Sequence, residues 1–172
     1  MKFFFIFFFF ILKFNVLSAE EKIAFIDLNY ILNNSISGKS INNFINDIKK
    51  QKKEDFIKIE NKIKEDENDL ISKKNIIEKS VYDTKVDQIK LRIKNYNIDR
   101  EKFNKKLQEK KLKYTNKLLE NLNPIISKYV EQNSITIVLP KKMIIIGKKN
   151  LDITNPVLQI LNKSIQKINF DE

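Results

Sequence analysis

The chain has no histidine, no cysteine and no tryptophan among its 172 residues, and only two glycines and three prolines. Without histidine, the usual carrier of protons near neutral pH is missing. Without cysteine there is no thiol nucleophile, no disulfide and no thiolate metal site. Nor does cysteine usage reveal the redox compartment. No phosphate loop, nucleophile triad or metal-ligand cluster is legible. The chain is therefore expected not to be an enzyme and to need no cofactor and no metal. Asp27 and Asp152 are the only acids in a suggestive setting, and a strand-end Asp and a pre-helix Asp read as turn and cap residues.

Charge is plentiful. Lys and Arg number 33 against 22 Asp and Glu, a formal net of +11, and charged residues make up 32% of the chain. Both signs are interspersed, which suits a long exposed helix better than a compact sphere. The N-terminus is different. Met1-Lys2 precedes an unbroken apolar run from Phe3 to Leu12, then Lys13, Phe14, Asn15 and the small pair Ser18-Ala19. A basic start, about ten apolar residues and a small-residue exit describe a secretory signal, with cleavage expected after Ala19. The run is shorter than the roughly twenty residues of a spanning helix. An uncleaved signal anchor is the alternative. Removing Lys2 and Lys13 takes the net charge from +11 to +9.

Glycine and proline are placed as tellingly as they are rare. After Gly38 the next glycine is Gly147, and the first proline is Pro124, so residues 39–123 contain neither breaker. That stretch predicts very long helices. Ile45, Phe56, Ile59, Ile63, Leu70 and Ile77 share one 3-4 spacing, its gaps filled by Lys49, Lys52, Asp66 and Lys73. A cleaner series runs Tyr82, Val86, Ile89, Ile93, Tyr96, Arg100, Phe103, Leu107, Lys110 and Tyr114. Alternating steps of four and three are the seam of a coiled coil. The phase breaks around Glu78-Lys79-Ser80-Val81, which predicts two antiparallel arms of about forty residues each, about 60 Å long. The aromatic residues Tyr82, Tyr96, Phe103 and Tyr114 are expected in the seam. Charges at seam positions predict loose packing and flexing toward the tip.

The flanks read as β structure. Lys22–Leu28 is strand-prone, and a helical turn and a loop broken at Gly38 follow. After the arms, Pro124 predicts a kink or a new helix. Ile135–Leu139 and Met143–Ile146 read as two strands, separated by a turn at Pro140–Lys142 and followed by another at Gly147–Asn150. Asn155 and Pro156 predict the N-cap and first position of a last helix, and Asn169–Glu172 are expected to fray. The organisation is thus a signal at 1–19, the first part of a β body at 20–38, coiled-coil arms at 39–123 with a tip near 78–84, and the rest of the body at 124–168. The fold class is α+β: a long helical hairpin inserted in a small sheet. So small a body buries little apolar surface alone, which favours oligomerisation through the sheet. Candidate residues for that contact are Ile23, Phe25, Ile135, Ile137, Leu139, Ile144 and Ile146.

At this point the layout resembles the Skp/OmpH family of periplasmic chaperones. The run Lys22–Asp27 through Leu32, then Ser35 and Ser37-Gly38-Lys39, resembles that family's opening strand, short helix and step into the first arm. Ile135–Leu139, Asp152-Ile153-Thr154, Val157-Leu158 and Leu161-Asn162 resemble its closing segments. The resemblance implies a jellyfish-shaped homotrimer in the periplasm whose arms enclose unfolded outer-membrane proteins without ATP. The family's proposed lipopolysaccharide contacts are not placeable on this chain. Lys49, Lys50, Lys52, Lys53, Lys105, Lys106, Lys110 and Lys111 are the candidate contacts to clients or lipid. Collectively their positive field suits acidic clients and an anionic membrane surface. Any one of them alone reads first as part of a solvated helix face. Two other readings stand beside the holdase: a structural coiled coil of the envelope, anchored by residues 3–12, and a basic nucleic-acid-binding coiled coil. The export signal argues against nucleic acid.

Overall fold

The computed structural model describes residues 21–170, so the expected signal segment lies outside the described residues. Strand β1 (Lys22–Ile26) opens the chain, followed by α1 (Leu28–Asn34) and α2 (Ile36–Ser72). A turn over 73–78 leads into α3 (Lys79–Gln132), then β2 (Ile135–Pro140) and the closing helix α4 (Thr154–Ser164). Single 3-10 turns lie at Lys141–Met143 and Lys149–Leu151. The architecture is α+β, with a helical hairpin standing on a small body.

The sheet has two strands, β1 and β2, and they run parallel. A parallel pair needs a long crossover, and here the crossover is the hairpin itself. The third strand expected at Met143–Ile146 does not form. Strands need a neighbouring edge to satisfy their backbone, and the free edge of β1 is already used. Phe25 bridges to Asp152, and the Ile153 N–H donates to the Phe25 carbonyl at 3.0 Å. Met143 instead closes a 3-10 turn and Ile144–Ile146 form a loop, with Ile145 and Ile146 almost wholly exposed.

One core joins the body to the arm roots. Ala24 and Ile26 of β1, Ile31 of α1, Ile41 and Ile45 of α2, Tyr114, Leu118 and Leu122 of α3, and Val157 and Leu161 of α4 are all buried together. The C-terminal tail closes this core rather than fraying at Asn169. The Phe170 ring stacks on Phe44 at 4.2 Å and meets Tyr114 edge-on at 5.0 Å.

Several boundaries differ from expectation for local reasons. Gly38 lies inside the first turn of α2 instead of breaking a loop. A Cβ there would sit 1.8 Å from the Leu32 carbonyl oxygen, so the constraint is close approach, not backbone dihedral. Pro124 sits inside α3, which continues through it to Gln132. The hairpin turns at 73–78 rather than 78–84, because Ser72 ends α2 and Lys73 caps it through its own N–H. Helix α4 begins at Thr154, one residue before the expected cap Asn155. There the Asp152 side chain accepts the Thr154 N–H at 3.0 Å.

Candidate functional site

The motifs at the two chain ends meet where the arms leave the body. Asp27 caps α1 by accepting the Tyr30 N–H at 2.8 Å, and its own N–H donates to the Thr154 hydroxyl at 2.9 Å. Ser35 caps α2 by accepting the Gly38 N–H at 3.0 Å. The Ile36 N–H donates to the Asn162 side chain at 2.8 Å, and the Ser37 hydroxyl donates to the Ile165 carbonyl at 2.7 Å. Ser35 and Ser37 are fully buried, so the root of the first arm is riveted to α4. Burial raises the pKa of Asp152, but hydrogen bonds from Lys141 and Thr154 outweigh it and hold the carboxyl below the usual carboxylate range. Asp27 and Asp152 are thus cap and turn residues. Among the described residues no cluster of three acids could hold a metal ion.

Above the root, α2 and α3 pack along the expected seam. Phe56, Ile63 and Leu70 are buried on α2, and Tyr82, Val86, Ile89, Ile93, Tyr96, Phe103 and Leu107 are half-buried on α3. Ile59 falls outside the seam at 43% exposed, and Glu60 takes its place. The Tyr96 hydroxyl donates to Glu60 at 3.2 Å. Lys64 chiefly, with Tyr96, lowers the Glu60 pKa. One turn further out, Arg92 crosses to Asp66 and lowers its pKa by hydrogen bonding to the carboxylate, with Lys62 adding to it at 3.3 Å. These cross-arm polar ties were not apparent from the sequence, where Asp66 is merely a gap in an apolar series.

The seam is underfilled. Around the Phe56, Tyr96 and Phe103 cluster, rings 5.8 Å apart, lies an open cavity of about 270 Å³ edged by Lys49, Lys53 and Arg100. Nearer the tip, a groove of about 440 Å³ runs between Leu70, Ile71, Tyr82, Val86, Ile89 and Ile93. Ile57, Ile71, Ile76, Leu91 and Leu112 stand in solvent.

The candidate lysines separate into two kinds. Lys49, Lys50, Lys53, Lys105, Lys106 and Lys111 are exposed. Lys52 and Lys110 are half-buried and lie over the Phe56 and Phe44 rings at 5.3 and 5.9 Å. The candidate oligomerisation residues divide likewise. Ile23, Ile137 and Ile146 are open to solvent, while Leu139 and Ile144 are half-buried. Phe25 is covered by Ile144 and Gly147, and Ile135 belongs to the core, so neither is available to a second chain as the molecule stands. Among the described residues no helix is long and apolar enough to cross a membrane.

No curated protein matches the chain. A crystal structure from Caulobacter crescentus CB15, of a protein assigned as an OmpH-like outer membrane chaperone, superposes with a TM-score of 0.78. It covers 88% of this chain and 89% of its own, at 15% identity, so it supports the fold alone. The family model described as "Outer membrane protein (OmpH-like)" matches residues 22–161, from β1 through the arms and into α4. The chain belongs to the OmpH-like family.

Proposed function

We propose that the chain is an ATP-independent holdase of the periplasm, exported by residues 1–19 and binding unfolded outer-membrane proteins between its arms. The observation that carries this reading is the exposure of aliphatic side chains on the arms, Leu91, Ile98 and Leu112 in particular. A helix stripe left in water at this scale marks a surface for binding apolar partners. Each contact is small, so a client is held by many weak attachments and leaves without fuel. The positive field of the arms adds attraction for acidic clients and for anionic lipid surfaces. Ile23 and Ile137, paired across the sheet, and Ile146 on the loop after it supply the apolar contact for a homotrimer, which sets three arm pairs around one cavity.

The test is aggregation of an unfolded outer-membrane β-barrel diluted from denaturant, followed by light scattering. The mature chain should suppress it at about one trimer per client, at both low and moderate salt. Unchanged aggregation at a severalfold excess, or a mature chain that runs as a monomer, contradicts the proposal.

A further inference from the structure

The two arm helices differ on the faces turned away from their shared seam. With Val86, Ile93, Phe103 and Leu107 marking the seam of α3, the residues opposite it recur every seven positions as Thr84, Leu91, Ile98, Lys105 and Leu112. The outermost heptad position of a soluble coiled coil is ordinarily its most polar. Here Leu91 and Leu112 are 57% and 61% exposed. The same stripe continues down the helix to Leu119 and Ile126, which pack against the body core. On α2 the equivalent positions, set by Phe56, Ile63 and Leu70, are Asp47, Glu54, Asn61 and Asn68, all polar and all exposed. Charge divides the same way. Helix α3 carries fourteen Lys and Arg against seven Asp and Glu, a net of +7, while α2 carries eight of each and is neutral.

We infer that the back of α3, through Leu91, Ile98 and Leu112, is the surface that grips the client, and that the back of α2 faces bulk water. This rests on the holdase reading and assigns it to one helix. The occupant is an unfolded segment whose apolar side chains are interspersed with acidic ones. The stripe has at most one apolar position per heptad, Leu91 and Ile98 about 10 Å apart along the helix and Leu112 about 21 Å beyond Ile98. A partner helix needs two such positions per heptad to form a seam. An unfolded chain needs no register, so it reaches each isolated side chain separately. The net +7 of the same helix favours an acidic chain over a basic one.

The experiment uses the full mature chain and an unfolded outer-membrane β-barrel labelled for fluorescence anisotropy. One variant combines Leu91→Gln, Ile98→Gln and Leu112→Gln; the control combines Ile57→Gln and Ile71→Gln on α2. Gln is a good helix former and all five sites are exposed, so helicity by circular dichroism should be unchanged. The α3 variant should bind about tenfold more weakly or worse, and the α2 control within about twofold of the parent chain. The three single α3 variants give the same ordering should the triple variant lose helix. Equal losses on both helices, or no loss on α3 while the parent chain binds, overturn the assignment. So does an α3 variant whose assembly mass changes, since the stripe is then a contact between copies. A parent chain that binds no client removes the holdase reading itself.

Discussion

At Gly38 the space of one methyl group decides how the first arm joins the body. Its missing Cβ leaves room for the Leu32 carbonyl at the α1–α2 junction. Gly38→Ala should lower unfolding stability by about 3 kcal/mol or more, measured by urea denaturation, because backbone cannot move aside as a side-chain tip can. Asp152 tests the body at the same scale. Its pKa is depressed in the folded chain, so its contribution is fully present above about pH 4, the unfolded value, and is lost as pH falls through the folded value. Melting temperatures taken from pH 6 down to pH 2.5 should therefore fall more steeply for the parent chain than for Asp152→Asn, the two curves converging at the acid end. Parallel curves would show that the Lys141 and Thr154 contacts carry no stability. Asp27 and Asp152 were legible as cap residues from strand and helix edges alone. Phe170 was not: a ring near the C-terminus gives no local sign that it will stack on Phe44, 126 residues earlier.

Among the elements, periodicity was the readable quantity. A heptad is a local property of the chain, so the α3 seam from Tyr82 to Tyr114 could be traced before any fold was known. What failed depends on partners. Met143–Ile146 has strand composition, but its edge is taken by Asp152 and Ile153. Pro124 costs one backbone hydrogen bond, and the tertiary contacts of the flanking Leu122, Ile125 and Ile126 keep α3 continuous. The exposed back of α3 was hidden in plain view, because an apolar residue outside a seam looks like noise until the seam's phase is fixed. Lys52 is one of the seam charges expected to loosen the arms, and it sits half-buried over Phe56. Lys52→Leu should stabilise the hairpin by about 1 kcal/mol and slow amide hydrogen exchange over 46–60. Unchanged exchange there would mean that the seam charge does not govern arm opening.

For the whole molecule, the defining property is the division of labour between a small, well-satisfied body and two arms that are apolar where water can reach them. Among the described residues, no buried side-chain polar atom lacks a hydrogen-bond partner. The root is tied together by the hydrogen bonds of Ser35, Ser37 and Asn162. The arms leave Ile76 at the tip 80% exposed. The most direct measurement is site-specific photo-crosslinking of the assembled chain to an unfolded outer-membrane β-barrel. Probes at Leu91 and Leu112 on the arms are compared with probes at Gln159 and Lys163 on α4. Saturable client adducts at the arm sites, and background yield on α4, are the predicted result. Adducts on α4 with bare arms would contradict it.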